Sequence, residues 1–183
     1  CGITDISVLS NLTELEFLKL DSNYITDISP LSGLTKLTEL YLNYNYIKDI
    51  SPLSTLTRLS CLGLIDNQIN DISPLKGLSS LTWLNLNGNK IQDISPLGGL
   101  GQLVTLDLNQ NDVSDISPLT ELTGLEYLYL ADNDVMTGHS SLNGLTELRE
   151  LNLEYTGGND ISFVNGMTKL YHLNVSGWEA SDI

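Results

Sequence analysis

The side chains of this sequence that could carry chemistry are few and widely spaced. The chain contains two histidines, His139 and His172, and two cysteines, Cys1 and Cys61. None of them has a histidine or cysteine companion at the spacing of metal ligands. The G-x-S-x-G, H-E-x-x-H, C-x-x-C and G-x-x-x-x-G-K motifs are absent. The sequence therefore predicts a non-enzymatic protein with no catalytic residue, no cofactor and no metal.

A column of aspartates recurs through the chain: Asp5, Asp27, Asp49, Asp71, Asp93, Asp115, Asp160 and Asp182. Carboxylates in such a row could bind a ladder of cations. The chain lacks the glycine- and aspartate-containing nonapeptide of calcium-binding β-rolls. Aspartates in turns commonly accept hydrogen bonds from their own turn, and this is the interpretation we favour.

These groups are positioned by a repeat of 22 residues, which is clearest at 81–103, LTWLNLNGNKIQDISPLGGLGQL. The L-x-L part alternates like a half-buried strand, and the I-x-x-I-x-x-L-x-x-L part steps by three like a 3₁₀ turn. No unit can bury its own leucines, so the repeat predicts a solenoid whose coils cover one another. One asparagine per coil is predicted to be buried and to satisfy backbone groups, which gives a structural asparagine ladder. Its members are Asn23, Asn45, Asn67, Asn89, Asn111 and Asn133.

Residues 1–183 are expected to form a single domain of about eight coils, truncated at both ends and without caps. All five prolines lie in an identical D-I-S-P-L, where serine is expected to cap a short turn and proline to take its first position. From about residue 134 the coils are irregular: Thr156 and Trp178 take asparagine positions and Phe163 takes a proline position. Such drift is typical of a terminal cap, and a binding loop around His139 is the alternative.

The two cysteines are predicted to be unpaired. Cys1 takes the asparagine position of an incomplete first coil, and Cys61 lies on a strand three coils later. Strands about 4.8 Å apart separate these positions by roughly 14 Å, about twice what a disulfide tolerates. Lipid on a leading Cys1 is the alternative interpretation of that residue.

The exposed strand face is the candidate binding surface. Residues that flank the two strand leucines point away from the core, and aromatic residues occupy several of these positions although folding does not require them. The predicted ligand-binding face comprises Phe17, Lys19, Glu39, Tyr41, Trp83, Asn85, Asp107, Asn109, Tyr127 and Tyr129. Trp83 is expected at its centre and the polar residues at its rim. With Tyr24, Tyr44 and Tyr46 in nearby turns, eight of the aromatic residues are predicted to face solvent. Cross-strand packing of the rings is the alternative.

The net charge of the chain limits the classes of partner that it could bind. A charge of −15 argues against nucleic acid and anionic membrane surfaces and favours basic partners. No apolar run approaches the roughly 20 residues of a membrane span, so we expect no membrane insertion. We expect a monomer. Because the chain begins at Cys1 and stops in mid-repeat, we expect a mature or excised part of a longer protein.

The unit LTELYLNYNYIKDISPLSGL resembles the leucine-rich repeats of the bacterial internalin family, and D-I-S-P-L separates this type from other leucine-rich repeats. The resemblance covers nearly the whole chain. It implies an α/β-type solenoid: a right-handed superhelix with one short parallel strand per coil on the concave face and 3₁₀ turns on the convex face. It also implies a secreted or cell-wall-attached bacterial protein that binds a protein ligand, often a host receptor, on its concave face.

Two other functions are open at this point. An intracellular scaffold of the phosphatase-regulating type shares the N-x-I-x-x-I spacing, but generally not the proline. A carbohydrate-binding or structural stalk would use the same aromatics for sugar stacking or not at all. The resemblance carries over no particular receptor, because ligand-contacting residues vary within the family.

Overall fold

The protein is a solenoid built on one parallel sheet. The computed structural model describes residues 2–134 and 137–178, so Cys1 and Asp182 of the predicted columns lie outside the described residues. Eight strands pair in sequential order, β1 to β8. They are Phe17–Lys19 (β1), Glu39–Tyr41 (β2), Cys61–Gly63 (β3), Trp83–Asn85 (β4), Thr105–Asp107 (β5), Tyr127–Tyr129 (β6), Glu150–Asn152 (β7) and His172–Asn174 (β8).

Short 3₁₀ helices form the opposite, convex side. They span Ser7–Asn11, Ser29–Leu31, Ser51–Thr55, Ser73–Gly77, Ser95–Leu97, Ser117–Glu121, His139–Gly144 and Ser162–Val164. This arrangement confirms the predicted leucine-rich repeat solenoid. None of the described helices is long and apolar enough to cross a membrane.

The repeat period fixes the register of the sheet. Leu18 pairs with Leu40, and the offset of 22 residues continues to Leu128 on β6. Leu128 then pairs with Leu151, an offset of 23 residues, because the irregular coil is one residue longer. The extra residue is absorbed in the loop, so the same side chains keep facing the core.

The core is a continuous stack of leucines and isoleucines between the sheet and the 3₁₀ helices. Leu62, Leu84 and Leu106 are completely buried in the middle of the solenoid. Leu18 and Leu20 on the N-terminal coil are only partly buried, because no described coil covers them from the other side. This is the expected burial pattern of a linear array, in which each coil is closed by its neighbours.

The asparagine ladder ties consecutive coils together. Asn89 Nδ2 donates to the carbonyl oxygens of Leu86 in its own coil and Leu64 in the coil before, both at 2.9 Å. Its Oδ1 accepts the Ile69 N–H at 3.0 Å. Asn45, Asn67, Asn111 and Asn133 repeat the pattern. Each amide oxygen therefore satisfies a backbone N–H of the coil before. Four ladder asparagines are buried as predicted, Asn45, Asn67, Asn89 and Asn111, whereas Asn23 and Asn133 near the ends of the regular array are half-buried.

The aspartates of the D-I-S-P-L units organise the convex turns. Asp71 Oδ1 accepts the backbone N–H of Ser73 at 2.8 Å. The N-cap of the 3₁₀ helix is Ile72, and the helix begins at Ser73. The predictions of a serine cap and of proline at the first position are therefore wrong, since serine is first and Pro74 second. The hydrogen bond from the Ser73 N–H lowers the pKa of Asp71. Asp71, two residues before Ser73, therefore makes the side-chain hydrogen bond at the start of the turn that was expected from serine.

Candidate functional site

The candidate site is the concave face, on which two columns of side chains point away from the core. The first column is Phe17, Glu39, Cys61, Trp83, Thr105, Tyr127, Glu150 and His172. The second is Lys19, Tyr41, Gly63, Asn85, Asp107, Tyr129, Asn152 and Asn174. Nine of the ten predicted face residues lie in these columns, and Asn109 follows β5 by two residues.

Three aromatic rings from β1, β2 and β4 form one aromatic cluster, made of Phe17, Tyr41 and Trp83. The ring centroids of Phe17 and Tyr41 are 5.8 Å apart, and those of Tyr41 and Trp83 are 6.1 Å apart with a tilt of 53°. The Lys19 ammonium lies 5.5 Å from the Tyr41 ring centroid. These distances are typical of attractive edge and cation–π contacts. The same three rings therefore lie on the predicted binding face and also pack against one another across strands.

Gly63 is what allows Tyr41 to reach Trp83 across an intervening strand. Gly63 lies between Tyr41 and Asn85 in the second column. A Cβ at this position would stand 3.1 Å from Tyr41 Cδ1 and 2.9 Å from Asn43 Oδ1. The missing side chain leaves a gap over β3, into which the Tyr41 ring leans. Gly63 therefore shapes the surface without presenting a side chain of its own.

Tyr41 is also held by a polar contact. Its hydroxyl donates to Glu39 Oε2 at 3.1 Å. Burial, followed by the hydrogen bond to the Glu39 carboxylate, raises the pKa of Tyr41 to about 12. The phenol therefore remains a neutral hydrogen-bond donor throughout the physiological pH range.

A second group, the acidic cluster, lies toward the C-terminal end and comprises Asp107, Tyr129, Glu150 and Tyr171. The hydroxyls of Tyr129 and Tyr171 donate to the two oxygens of Glu150 at 2.8 and 2.7 Å. These two hydrogen bonds, Tyr171 first, lower the pKa of Glu150. The Glu150 carboxylate is thus ionised and fixed in orientation by two tyrosines from neighbouring coils.

Asp107 is a half-buried carboxylate of the concave face. Its Oδ2 accepts the Asn85 side-chain amide and its Oδ1 accepts the Asn109 N–H, both at 3.0 Å. Burial raises the pKa of Asp107 in spite of these bonds. Asn85 is 9% exposed and therefore buried, not at the rim as expected, because its amide is turned toward Asp107.

The aromatic side chains are less exposed than the strand alternation predicted. Phe17 at the N-terminal coil is 54% exposed. Tyr41, Trp83, Tyr127 and Tyr129 are half-buried. Rings longer than the spacing between strands lean along the sheet and cover one another, which the two-residue alternation does not describe. Tyr24 and Tyr46 are about half exposed, and they stack at 5.9 Å in the turns.

The irregular C-terminal coils contain a polar cleft of about 370 Å³ on the convex side. His139 lines it, stacked on Phe163 at 5.8 Å and edge-on to Trp178 at 5.1 Å. Its Nε2 is buried and has no hydrogen-bond partner among the described residues. Burial lowers the pKa of His139, so the imidazole is neutral. The ring packs against Phe163 and Trp178 of this region.

Cys61 is a half-buried free thiol on β3. Within the described residues, no group of three His, Cys, Asp or Glu side chains is placed so that it could hold a metal ion.

Gly63, Glu150 and Tyr171 were missed by the sequence analysis. Aligning the repeats gives a signal for the first, since Gly63 is a glycine in a column otherwise filled by larger residues. Glu150 stands in the same column as Tyr127, but the longer loop before β7 conceals that alignment. Tyr171 lies one residue before β8, so the count of strand positions excluded it.

Comparisons with known proteins agree with this geometry. The family model described as leucine rich repeats (2 copies) matches residues 35–77, 79–121 and 101–141. An internalin, inlF, from Listeria monocytogenes is 38% identical with a TM-score of 0.89, over 100% of this chain and 60% of that one. Internalin C2 from the same species is 36% identical with a TM-score of 0.87, over 97% of this chain and 77% of that one.

More distant structures share the fold alone. The plant peptide hormone receptor RGFR1, in complex with RGF2, is 22% identical with a TM-score of 0.81, over 97% of this chain and 30% of that one. No curated protein matches the sequence. The leucine-rich repeat fold supports protein interaction and is typically a non-enzymatic scaffold. The chain therefore belongs to the leucine-rich repeat family and is an internalin-like member of it.

Proposed function

We propose that this protein is a non-enzymatic binding module that holds a protein ligand on its concave face. The observation that carries the proposal is the aromatic cluster: Phe17, Tyr41 and Trp83 form a continuous apolar surface outside the leucine core. Aromatic residues that are grouped and partly desolvated are the usual anchors of protein interfaces. Tyr127 and Tyr129 extend the surface toward the C-terminal coils.

The size of the face fits an ordinary protein contact. Phe17 on β1 and Tyr127 on β6 are five strands apart, which at about 4.8 Å per strand is roughly 24 Å. A ligand that covers this span contacts side chains from six coils. The rigid hydrogen-bonded ladder beneath them keeps the anchors in fixed positions, which lowers the entropy lost on binding.

We place this function outside the cell, on a secreted or wall-attached bacterial protein in host interaction or adhesion. The proposal draws on the similarity to the two Listeria internalins, at 38% and 36% identity. The chain spans 60% of the inlF chain, so the partners of such a longer protein come to this chain only as a proposal. A host receptor is the protein ligand that the family resemblance favours.

The proposal is tested with Trp83→Ala and Tyr127→Ala beside the convex control Lys76→Ala. Affinity for a partner isolated by pull-down and thermal stability are measured on each variant. Truncating an anchor should cost about 2 kcal/mol or more of binding free energy, and the control well under 1. Loss of stability without selective loss of affinity would assign these aromatic residues to packing alone.

A further inference from the structure

The concave face carries more negative than positive charge. Lys19 is 3.2 Å from Asp21, and Arg149 is 2.8 Å from Glu126, so both cations already have partners. Within the described residues, no lysine or arginine lies within 4.0 Å of the carboxylates of Glu39, Asp107, Glu150 or Glu154. The C-terminal half of the face therefore presents several carboxylates that this chain does not neutralise with a lysine or arginine.

The carboxylates of the acidic cluster retain free acceptor capacity. Each oxygen of Glu150 receives one tyrosine hydroxyl, and an ionised carboxylate oxygen can accept a second hydrogen bond. The Glu150 side chain is 25% exposed, so one edge of it is accessible. Asp107 likewise receives one donor at each oxygen. The groups that would complete these contacts are the N–H donors of guanidinium or ammonium ions, which match ionised carboxylates in charge.

The aromatic and acidic clusters are close enough for one partner to contact both. Trp83 lies on β4 and Glu150 on β7, a separation of three strands. At about 4.8 Å per strand this is roughly 14 Å, which an extended peptide covers in about four residues. A single ligand surface can therefore place an apolar group and a cation on the two clusters at once.

We propose that the partner is a basic protein surface, which sets an apolar side chain against the aromatic cluster and an arginine or lysine against Asp107 and Glu150. This inference rests on the proposed function and adds the chemical class of the ligand. Charge complementarity is its main support: a chain of net charge −15 repels acidic partners, and the carboxylates of Asp107 and Glu150 have no lysine or arginine within 4.0 Å among the described residues, the nearest basic group to Glu150 being His172 Nδ1 at 4.0 Å. The carboxylate of Asp107 then binds the partner in addition to its hydrogen bonds with Asn85 and Asn109.

The experiment is a selection from phage-displayed random peptides about 12 residues long, which extended reach about 40 Å. Peptides are selected on the wild-type chain, and clones that lose binding on Trp83→Ala are kept and synthesised. Affinities are measured for the wild type, for Glu150→Gln and Asp107→Asn singly and together, and for the convex control Glu121→Gln. Glutamine and asparagine keep one acceptor oxygen and replace the other with an NH2 donor, so the variants remove the charge with little change of shape.

The inference predicts that the retained peptides are enriched in arginine and lysine beside an apolar residue. The double variant should bind them about tenfold more weakly or worse, whereas Glu121→Gln should change affinity less than about twofold. Affinity should also fall with added salt.

Two results would overturn the inference and separate it from the proposed function. If the retained peptides show no excess of basic residues, or bind the double variant normally, the preference for a basic partner is wrong while concave-face binding stands. If no selected peptide depends on Trp83, the proposed function fails, and the inference fails with it.

Discussion

The indole Nε1 of Trp178 donates a hydrogen bond to the carbonyl oxygen of Leu153 at 2.9 Å. In a regular coil the equivalent carbonyl, for example that of Leu64, accepts the asparagine amide of the next coil. Trp178 stands at the asparagine position, and its indole replaces one of the amide bonds of the asparagine ladder. The last described coils are therefore joined by the same connection as the regular ones, made with different chemistry.

Replacing Trp178 with phenylalanine should weaken this connection. Phenylalanine keeps a ring against His139 but has no N–H, so we expect a loss of about 1 kcal/mol in the free energy of unfolding. Amide hydrogen exchange around Leu153 and Thr156 should accelerate, because the ladder is opened there. Chemical denaturation and exchange measurements test both effects. Tyr46→Phe, which removes the hydroxyl of a half-exposed ring in the turns, is the control; equal effects of the two variants would contradict the role given to the indole N–H.

The asparagine ladder is predicted to support stability and not binding. In Asn89→Ala the Ile69 N–H loses its acceptor, at about 1 to 3 kcal/mol for a buried group left unsatisfied. The carbonyl oxygens of Leu64 and Leu86 each lose one of the two ladder amides that they accept. The melting temperature should fall, while affinity stays near normal wherever the chain is folded. Asn70→Ala, at an exposed position, should leave both unchanged. An Asn89→Ala variant as stable as the wild type would show that the ladder is dispensable.

Gly63→Ala should disturb the aromatic cluster without unfolding the protein. The added Cβ, 3.1 Å from Tyr41 Cδ1, pushes the tyrosine ring away from Trp83. We expect altered near-ultraviolet circular dichroism and Trp83 fluorescence in a Trp178→Phe background, with a stability change of about 1 kcal/mol or less. Gly77→Ala is the matched control, because nothing lies within 4 Å of its added Cβ. Unchanged spectra in Gly63→Ala would mean that Tyr41 does not need the gap.

Asp107→Asn should raise stability at neutral pH. Burial raises the folded pKa of Asp107 above its unfolded value, so the favourable contribution of this group is present below the unfolded pKa and is lost as pH rises through the folded pKa. Asparagine avoids burying the charge and can keep the turn bond, as Asn85 does by accepting the Asn87 N–H at 3.0 Å. The gain in melting temperature should therefore be largest near pH 7 and should shrink below about pH 4.

Asp71→Asn provides the control of opposite sign. The Ser73 N–H lowers the pKa of Asp71, so the stability contribution of its charge is present above the unfolded pKa and is lost as pH falls through the folded pKa. This variant should show no gain at neutral pH. Melting curves of both variants are measured from about pH 3 to pH 8, which includes the range over which carboxylates titrate. They show whether the change in melting temperature depends on pH. A gain for Asp107→Asn that did not vary with pH would contradict a cause in buried charge.

The leucine spacing predicted the solenoid, the register and the burial of Asn45, Asn67, Asn89 and Asn111 because these follow from the repeat itself. Contacts between side chains of different coils do not follow from it. Tyr41 reaches Trp83 only because Gly63 lies between them, and Asn85 is buried only because Asp107 faces it. The first contact depends on three coils and the second on two, and these coils differ from one another, so a frame that treats the coils as equal cannot predict them.

Some backbone features were also hidden by the sequence. The residue before each ladder asparagine has a positive φ, and the types found there include Ser22, Tyr44, Asp66 and Gln110. Only Gly88 carries the usual signature of such a conformation. A second set of hydrogen bonds between coils, in which Asn43 Oδ1 accepts the Ile65 N–H at 2.8 Å, occurs in some coils and not in others. Neither feature is marked in the sequence by a consistent residue type.

Ligand binding on the concave face can be tested by hydroxyl-radical footprinting of the chain with and without its partner. The method reports the solvent access of individual side chains. Oxidation of Trp83 and Tyr127 should fall severalfold in the complex, because interface anchors are desolvated. Val8, 77% exposed on a convex 3₁₀ helix, should react at the same rate in both states. If Val8 were protected while Trp83 and Tyr127 stayed reactive, binding on the concave face would be contradicted and the ligand would lie on the convex side.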